Sequence, residues 1–192
     1  NEETCDSLNE YYTLIEPISP LMNEIRRCIL AEDEVADDAS PGLQKVRQNM
    51  KRASDRIHEQ LNSILNSSQK TMLQDGLITM RNGRYCLPVK AEYRSSFHGM
   101  LHDQSATGST LFIEPSSVVK LNNEIRELEL KEQEEIEKIL ADLSNQTAEH
   151  AVFLEQDFQV LSKLDFIFAK ASLSKEMRGT EPNFLEDGHI LI

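Results

Sequence analysis

Met80 to Pro115 reads MRNGRYCLPVKAEYRSSFHGMLHDQSATGSTLFIEP, and the fold turns on it. Residues alternate in period two on both sides of Asn82-Gly83: Ile78 and Met80 against Thr79 and Arg81, then Tyr85, Leu87 and Val89 against Arg84 and Lys90. Asn-Gly between two such runs predicts a hairpin, because both residues tolerate the positive φ of a type I′ turn. Gly99 to His102 and Ser109 to Ile113 form a second candidate strand pair, joined by the polar stretch Asp103 to Gly108. Pro88, which has no N–H to give a ladder, predicts an edge position or a bulge. Four of the seven glycines (Gly76, Gly83, Gly99, Gly108) lie in or just before this stretch. It reads as a small antiparallel sheet inserted between helices.

Working outward, Ser40-Pro41 is a capping serine followed by proline at the first helical position, where the missing N–H costs nothing. A helix is expected from there to about Ser67, with the apolar stripe Leu43, Val46, Met50, Ala53, Ile57, Leu61, Ile64 and Leu65. On the other side, Ser116 or Ser117 caps a helix whose stripe runs Val118, Leu121, Ile125, Leu128, Ile136, Ile139 or Leu140, and Leu143, with Glu132 interrupting it. Such a seam suits antiparallel packing of the two helices. A further helix from about Thr147 carries Ala151, Leu154, Phe158, Leu161, Leu164, Ile167, Phe168 and Ala171, an apolar face wide enough to predict burial in a helical bundle.

Nearer the N-terminus, Leu8 to Ile15 keeps helical spacing until Pro17. Ser19-Pro20 opens a short helix, and Glu32 to Ala39 reads as an acidic connector. The expected segments are 1–40 (helical core), 41–75 (outgoing helix), 76–115 (β insert), 116–146 (returning helix), 147–178 (core helix) and 179–192, where His189 to Ile192 opens another strand. The chain begins without methionine and ends inside that apparent strand, which reads as a piece of a longer protein.

The 192 residues carry a net charge of −13, so any contact with a polyanion must come from a local basic patch. Three scattered cysteines, Cys5, Cys28 and Cys86, have no C-x-x-C spacing and predict neither a disulfide frame nor a zinc knuckle. With no apolar run of membrane-spanning length and no signal peptide, the expected location is the cytoplasm.

Three stretches carry a family resemblance. G-R-Y-x-x-P-V-K-x-E-Y-R (Gly83 to Arg94), H-D-Q-S-A-x-G-x-T-L-F-I-E-P (His102 to Pro115) and L-N-N-E-I-R-E-L-E (Leu121 to Glu129) closely resemble the middle of the bacterial type-two MutS proteins. The likeness spans roughly Asp37 to Ile192. It implies a mainly α fold: a helical core, two long antiparallel lever helices and a small β clamp at their tip. By the same resemblance, 179–192 is the start of an ABC-type ATPase domain of the parent protein, which uses ATP and Mg, dimerises, and ends in an Smr nuclease domain. The implied function is binding of branched or structured DNA, and of ribosomal RNA in some members, in suppression of recombination or rescue of collided ribosomes.

Within this chain, no catalytic, metal or cofactor residue is expected. A phosphate-binding loop needs G-x-x-x-x-G-K-[ST]; Ser105 to Thr110 lacks the lysine and reads as a turn. His102-Asp103 has the letters of an HD phosphohydrolase pair but stands at a strand end, without ligands at metal spacing, and predicts a hydrogen-bonding role. Phe112-Ile-Glu114 matches the F-x-E wedge of mismatch-repair MutS; so do Phe153 to Glu155 and Phe184 to Glu186, and the wedge is not carried over. The candidate nucleic-acid residues are Arg81, Arg84, Lys90, Arg94 and His98, because phosphate contacts need basic side chains; their bland reading is a solvated, charge-protected edge. The helix face with Lys45, Lys51, Arg52 and Arg56 is a second such surface, with solvation the bland reading. Glu127, Glu129, Glu132, Glu134, Glu135 and Glu137 read as a solvated face with Glu127–Lys131 and Glu134–Lys138 pairs. Two other function classes fit the residues: a coiled-coil protein-interaction or dimerisation module, and an HD-type enzyme.

Overall fold

The computed structural model describes residues 8–180, together with the backbone of 183–184 and 190–191. These residues are mainly helical, with small antiparallel sheets, and fall into two compact units, Ile25–Asp142 and Asn1–Glu24 with Leu143–Ile192.

In the unit Ile25–Asp142 the sequence signals at the helix start are realised. Ser40 is extended (φ −143°), its Oγ accepts the Leu43 N–H at 3.0 Å, and Pro41 opens the 25-residue helix α3, Pro41–Leu65. The helix α4, Val119–Glu149, starts after a Pro115-to-Val118 turn. Its end lies three residues beyond the expected one. In this last stretch Thr147 donates its hydroxyl to the Leu143 carbonyl at 2.7 Å, and the helix closes at His150, the cap of the next one.

The two helices run antiparallel. Arg47 of α3 meets Glu132 of α4 at 2.7 Å, while Arg56, nine residues on, meets Glu124, eight residues back, also at 2.7 Å. Ala53, Ile57 and Leu61 pack with Leu121, Ile125 and Leu128 in one core. Glu132, the polar break in the stripe, is thus the partner of Arg47 rather than a defect. The Glu135 carboxylate lies against Gly42 and the Ser40 hydroxyl at the start of α3, where the helix dipole favours an anion.

Glu32 to Ala39 is not only a connector. It holds a small hairpin, Ile29–Ala31 (β1) with Glu34–Val35 (β2), closed by the Ala36 N–H on the Cys28 carbonyl. A three-residue strand carries too little periodicity to be seen in sequence.

The insert forms four strands, Thr79–Arg81 (β3), Arg84–Lys90 (β4), Gly99–Gln104 (β5) and Thr110–Pro115 (β6), in the order β3-β4-β6-β5. Asn82 (φ 53°) and Gly83 (φ 73°) make the expected turn with positive φ at both positions. The stretch Ser105 to Thr110 is a hairpin turn held by its own hydroxyls, with Gly108 at φ 75°. Leu87, Val89, Leu111 and Ile113 face the helices and join their core.

Pro88 departs from expectation, because it lies in β4, an inner strand, opposite Phe112, with no bulge there. The position is tolerated because β3 pairs only with residues 84–86; beside Pro88 its place is taken by Leu73 and Gln74, whose N–H reaches the Pro88 carbonyl at 2.9 Å. The proline nitrogen therefore faces a side where no ladder bond is owed. The bulge lies in β5 instead, between Leu101 and Asp103, with His102 as the extra residue.

In the other unit, the first helix, α1, is short (Asn9–Tyr12), and α2, Ser19–Cys28, begins at Ser19 itself, with the Met22 N–H on the Ile18 carbonyl. The helix α5, Ala151–Met177, buries Val160 and Leu164. The expectation that its wide apolar face is covered is corrected: Phe158 is 72% exposed and Leu161 52%. Within this unit α5 is met by a short segment, through the Glu16 N–H on Asp157 (3.0 Å) and Gln156 on the Leu14 carbonyl (3.3 Å). That segment is short, and Leu154, Phe158, Leu161 and Phe168 of the wide apolar face stay exposed. Asn183–Phe184 and Ile190–Leu191 pair as a two-stranded ladder; of the strand expected at His189 to Ile192, the end residues, like Cys5, lie outside the described residues.

Candidate nucleic-acid interface

The alternation of the strands puts Arg81, Arg84, Cys86, Phe112, Glu114 and Asp103 on the sheet face opposite the helices. At its centre is a carboxylate, Glu114, whose side chain has no exposed surface. Such a charge is costly unless paired and hydrogen-bonded. Arg84 Nη1 donates to Oε1 at 2.9 Å, Asn122 Nδ2 donates to the same oxygen at 2.8 Å, and His102 Nε2 stands 2.6 Å from Oε2. The bulge in β5 is what re-aims His102 toward this carboxylate.

Asn122, 2% exposed on the first turn of α4, does a second job. Beyond Leu87, β6 no longer pairs with β4, which would orphan the Tyr85 backbone. The Asn122 amide stands in for the missing strand: Oδ1 accepts the Tyr85 N–H at 3.1 Å and Nδ2 donates to the Tyr85 carbonyl at 3.3 Å. One side chain thus stitches helix, strand and buried charge together. The Tyr85 ring is fixed in turn by Ser54 (3.0 Å from its hydroxyl) and the edge of His58.

The two edge strands are tied across the same face. Asn82 Nδ2 donates to the His102 carbonyl at 3.2 Å, and Arg81 Nε lies 3.2 Å from Asp103 Oδ2, outside hydrogen-bonding geometry, with its guanidinium 3.9 Å over the Phe112 ring. Cys86, buried beneath, has its thiol pushed up to about 11, by desolvation first and the Glu114 charge second.

The five sequence candidates are therefore not equivalent. Arg84 is a strut, its second amino group on Asn123 Oδ1 at 2.6 Å. Arg81 is engaged with Asp103 and Phe112. Lys90, six residues along β4 from Arg84 and so roughly 20 Å away, donates to the Thr71 carbonyl at 3.1 Å. Arg94 and His98 are exposed, and neither side chain has a partner among the described residues.

Lys90 reaches the backbone beside Lys70, a residue not among the candidates. Lys70 is exposed on the 3₁₀ turn Ser68–Met72 that follows α3. Lys90 thus stands beside the turn that carries Lys70, and Arg94 follows Lys90 directly after the turn Ala91–Tyr93. No spacing in the sequence marks Lys70, since the link is a long-range hydrogen bond.

The other motifs resolve as contacts. His102 and Asp103 serve Glu114 and Arg81, and among the described residues no group of His, Cys, Asp and Glu could hold a metal ion. Within α4 the ion pairs among the described residues are Arg126–Glu129 and Lys138–Glu135, at i,i+3 rather than the expected i,i+4. On the α3 face, Arg56 is paired with Glu124, while Lys45, Lys51 and Arg52 are exposed. No described helix is long and apolar enough to cross a membrane.

No protein-family model matches the chain. Curated relatives match it along nearly its whole length. It is 60% identical over 189 residues to the Endonuclease MutS2 of Lachnoclostridium phytofermentans, covering 96% of this chain and 24% of that protein. It is 58% identical over 193 residues to the Endonuclease MutS2 of Agathobacter rectalis, covering 100% and 24%. With the Endonuclease MutS2 of Caldanaerobacter subterraneus the figures are 46% over 183 residues, covering 95% and 23%. The chain thus spans about a quarter of the length of these relatives.

Proposed function

Because this chain is a segment of the type-two MutS family, about a quarter of its relatives' length, we propose that it is the non-catalytic part that binds branched or structured nucleic acid and couples binding to the ATPase region of the whole protein. The observation that carries this reading is the basic group Lys70, Lys90 and Arg94 at the sheet end of the helix pair, in a chain whose net charge is −13. Of the three residues between Lys90 and Arg94, the short 3₁₀ turn Ala91–Tyr93, Glu92 alone is charged. Such a group contacts phosphates without reading sequence, which suits a target defined by shape. The exposed His98 adds a further donor near the start of β5.

The Ser105–Thr110 turn has no lysine and leads into the strand Thr110–Pro115 rather than a helix, so it lacks the parts of a phosphate-binding loop. ATP and Mg belong elsewhere in the whole protein. What the chain's own residues supply is stiffness. α3 and α4 share one core, and the Arg47–Glu132 and Arg56–Glu124 pairs oppose sliding of one helix along the other. A pair of this kind acts as a lever, passing displacement between the sheet and the rest of the protein. Suppression of recombination and rescue of stalled ribosomes are the two roles this reading serves.

The test uses the whole protein with a four-way DNA junction and a structured RNA. Changing Lys70, Lys90 and Arg94 to alanine should weaken binding at least about tenfold and flatten the slope of log K against log salt by roughly two to three, at about 0.9 per phosphate contact. An unchanged slope refutes the assignment. A second reading, a protein-docking tip, is favoured by the exposed Leu77, Met80, Met100 and Leu101 on and beside the sheet. It predicts loss of a protein partner when Met80 and Leu101 become serine, with nucleic-acid affinity retained.

A further inference from the structure

The β1–β2 hairpin and α4 enclose a cleft of about 250 Å³. Its floor is apolar: Ile29 and Val35, register partners on one face of the hairpin, meet Ile136 and Leu140 of α4. Its mouth is acidic, formed by Glu32, Asp33 and Glu34, all exposed, their carboxylates without an ion-pair or hydrogen-bond partner among the described residues. We propose that this cleft receives one apolar side chain of a partner polypeptide, flanked by lysine or arginine.

Charge complementarity selects that occupant. Three adjacent carboxylates repel one another and any polyanion, so a nucleic acid is disfavoured here. Arg47, the one cation lining the cleft, adds no attraction for anions, since Asp37 and Glu132 both take its guanidinium. A bare metal ion would find an aliphatic floor without donors. A basic segment with a leucine or methionine between its charges satisfies both parts at once, pairing with the rim and removing the floor from water.

The cleft is also built to keep its shape. Arg47 Nη1 donates to the Val35 carbonyl at 2.8 Å, so the hairpin is tied to α3 while its open side faces α4. The site shares no residue with Lys70, Lys90 or Arg94 and stands or falls independently of nucleic-acid binding.

The experiment uses the whole protein and a fluorescein-labelled peptide with one leucine between paired lysines, read by anisotropy. Glu32→Lys combined with Glu34→Lys should weaken binding at least tenfold, or about 1.4 kcal/mol. Replacing the peptide leucine by serine should do the same, whereas Glu134→Lys with Glu137→Lys, on α4 but outside the lining of the cleft, should leave most of the affinity. Junction binding should be unchanged by the cleft variants. Equal binding by the serine peptide means charge attraction alone and overturns the proposal. So does equal loss in the Glu134/Glu137 control, or no binding at all because another segment of the whole protein fills the cleft.

Discussion

Replacing Arg84 by methionine separates a structural arginine from a phosphate-binding one. Methionine keeps most of the apolar stem and removes the guanidinium, leaving the fully buried Glu114 carboxylate with only Asn122 and His102. Breaking one side of a buried ion pair costs roughly 3–5 kcal/mol, because the remaining charge stays desolvated. At about 2–4 °C per kcal/mol for a chain of this size, the melting midpoint should fall by roughly 6–20 °C. A urea titration followed by circular dichroism gives the free energy directly. Making Glu114→Gln in the same background should recover at least about 1 kcal/mol relative to the sum of the single changes, since the stranded charge is then gone. Junction affinity per folded molecule should stay within about twofold, in contrast with Arg94→Ala. A loss under about 1 kcal/mol, strict additivity, or a stable variant that no longer binds nucleic acid would each refute the strut assignment.

Two further outcomes follow from the same network. Asn122→Asp keeps the shape but turns the Nδ2 donor into an acceptor facing Glu114 Oε1 and the Tyr85 carbonyl; it should cost more than about 3 kcal/mol by urea titration, more than Asn122→Ser. Cys86 gives the alkaline limit. Its thiol ionises near 11 in the folded chain against an ordinary 9.0, so the unfolded chain loses the proton first. The stability it contributes is whole below pH 9 and declines by about 2–3 kcal/mol as pH rises toward 11. Cys86→Ala should flatten that decline, and at pH 7.5 the folded thiol should resist maleimide until the chain is unfolded.

Much of the helix and turn structure was legible because its causes are local. Ser40-Pro41 names its own cap, Asn82-Gly83 its own turn, and the three- and four-residue steps from Leu43 to Leu65 their own buried face, each signal resting on residues close along the chain. Two polar residues on buried faces were legible in principle. Asn122 falls four residues after Val118 and Glu132 four after Leu128, so both occupy stripe positions where a polar side chain needs a partner. What the sequence does not contain is the identity of that partner: Asn122 answers to Tyr85, 37 residues away, and Glu132 to Arg47, 85 away.

By itself, then, the sequence determined the long helices and the hairpins of the insert, which faces of α3, α4 and β4 are apolar, and the likeness to type-two MutS proteins, since these rest on short-range spacing and on contiguous motifs. Tertiary structure alone decided which basic residues are free. Arg84 and Arg94 are the same residue type in one motif, yet one is bound to a buried carboxylate and the other stands in solvent. It also decided that Pro88 is tolerated in an inner strand, that His102 is bulged toward Glu114, and that Lys70 joins Lys90. The physical reason is common to all four. Exposure and charge pairing are properties of neighbours in space, and folding brings those neighbours from parts of the chain that local periodicity does not connect.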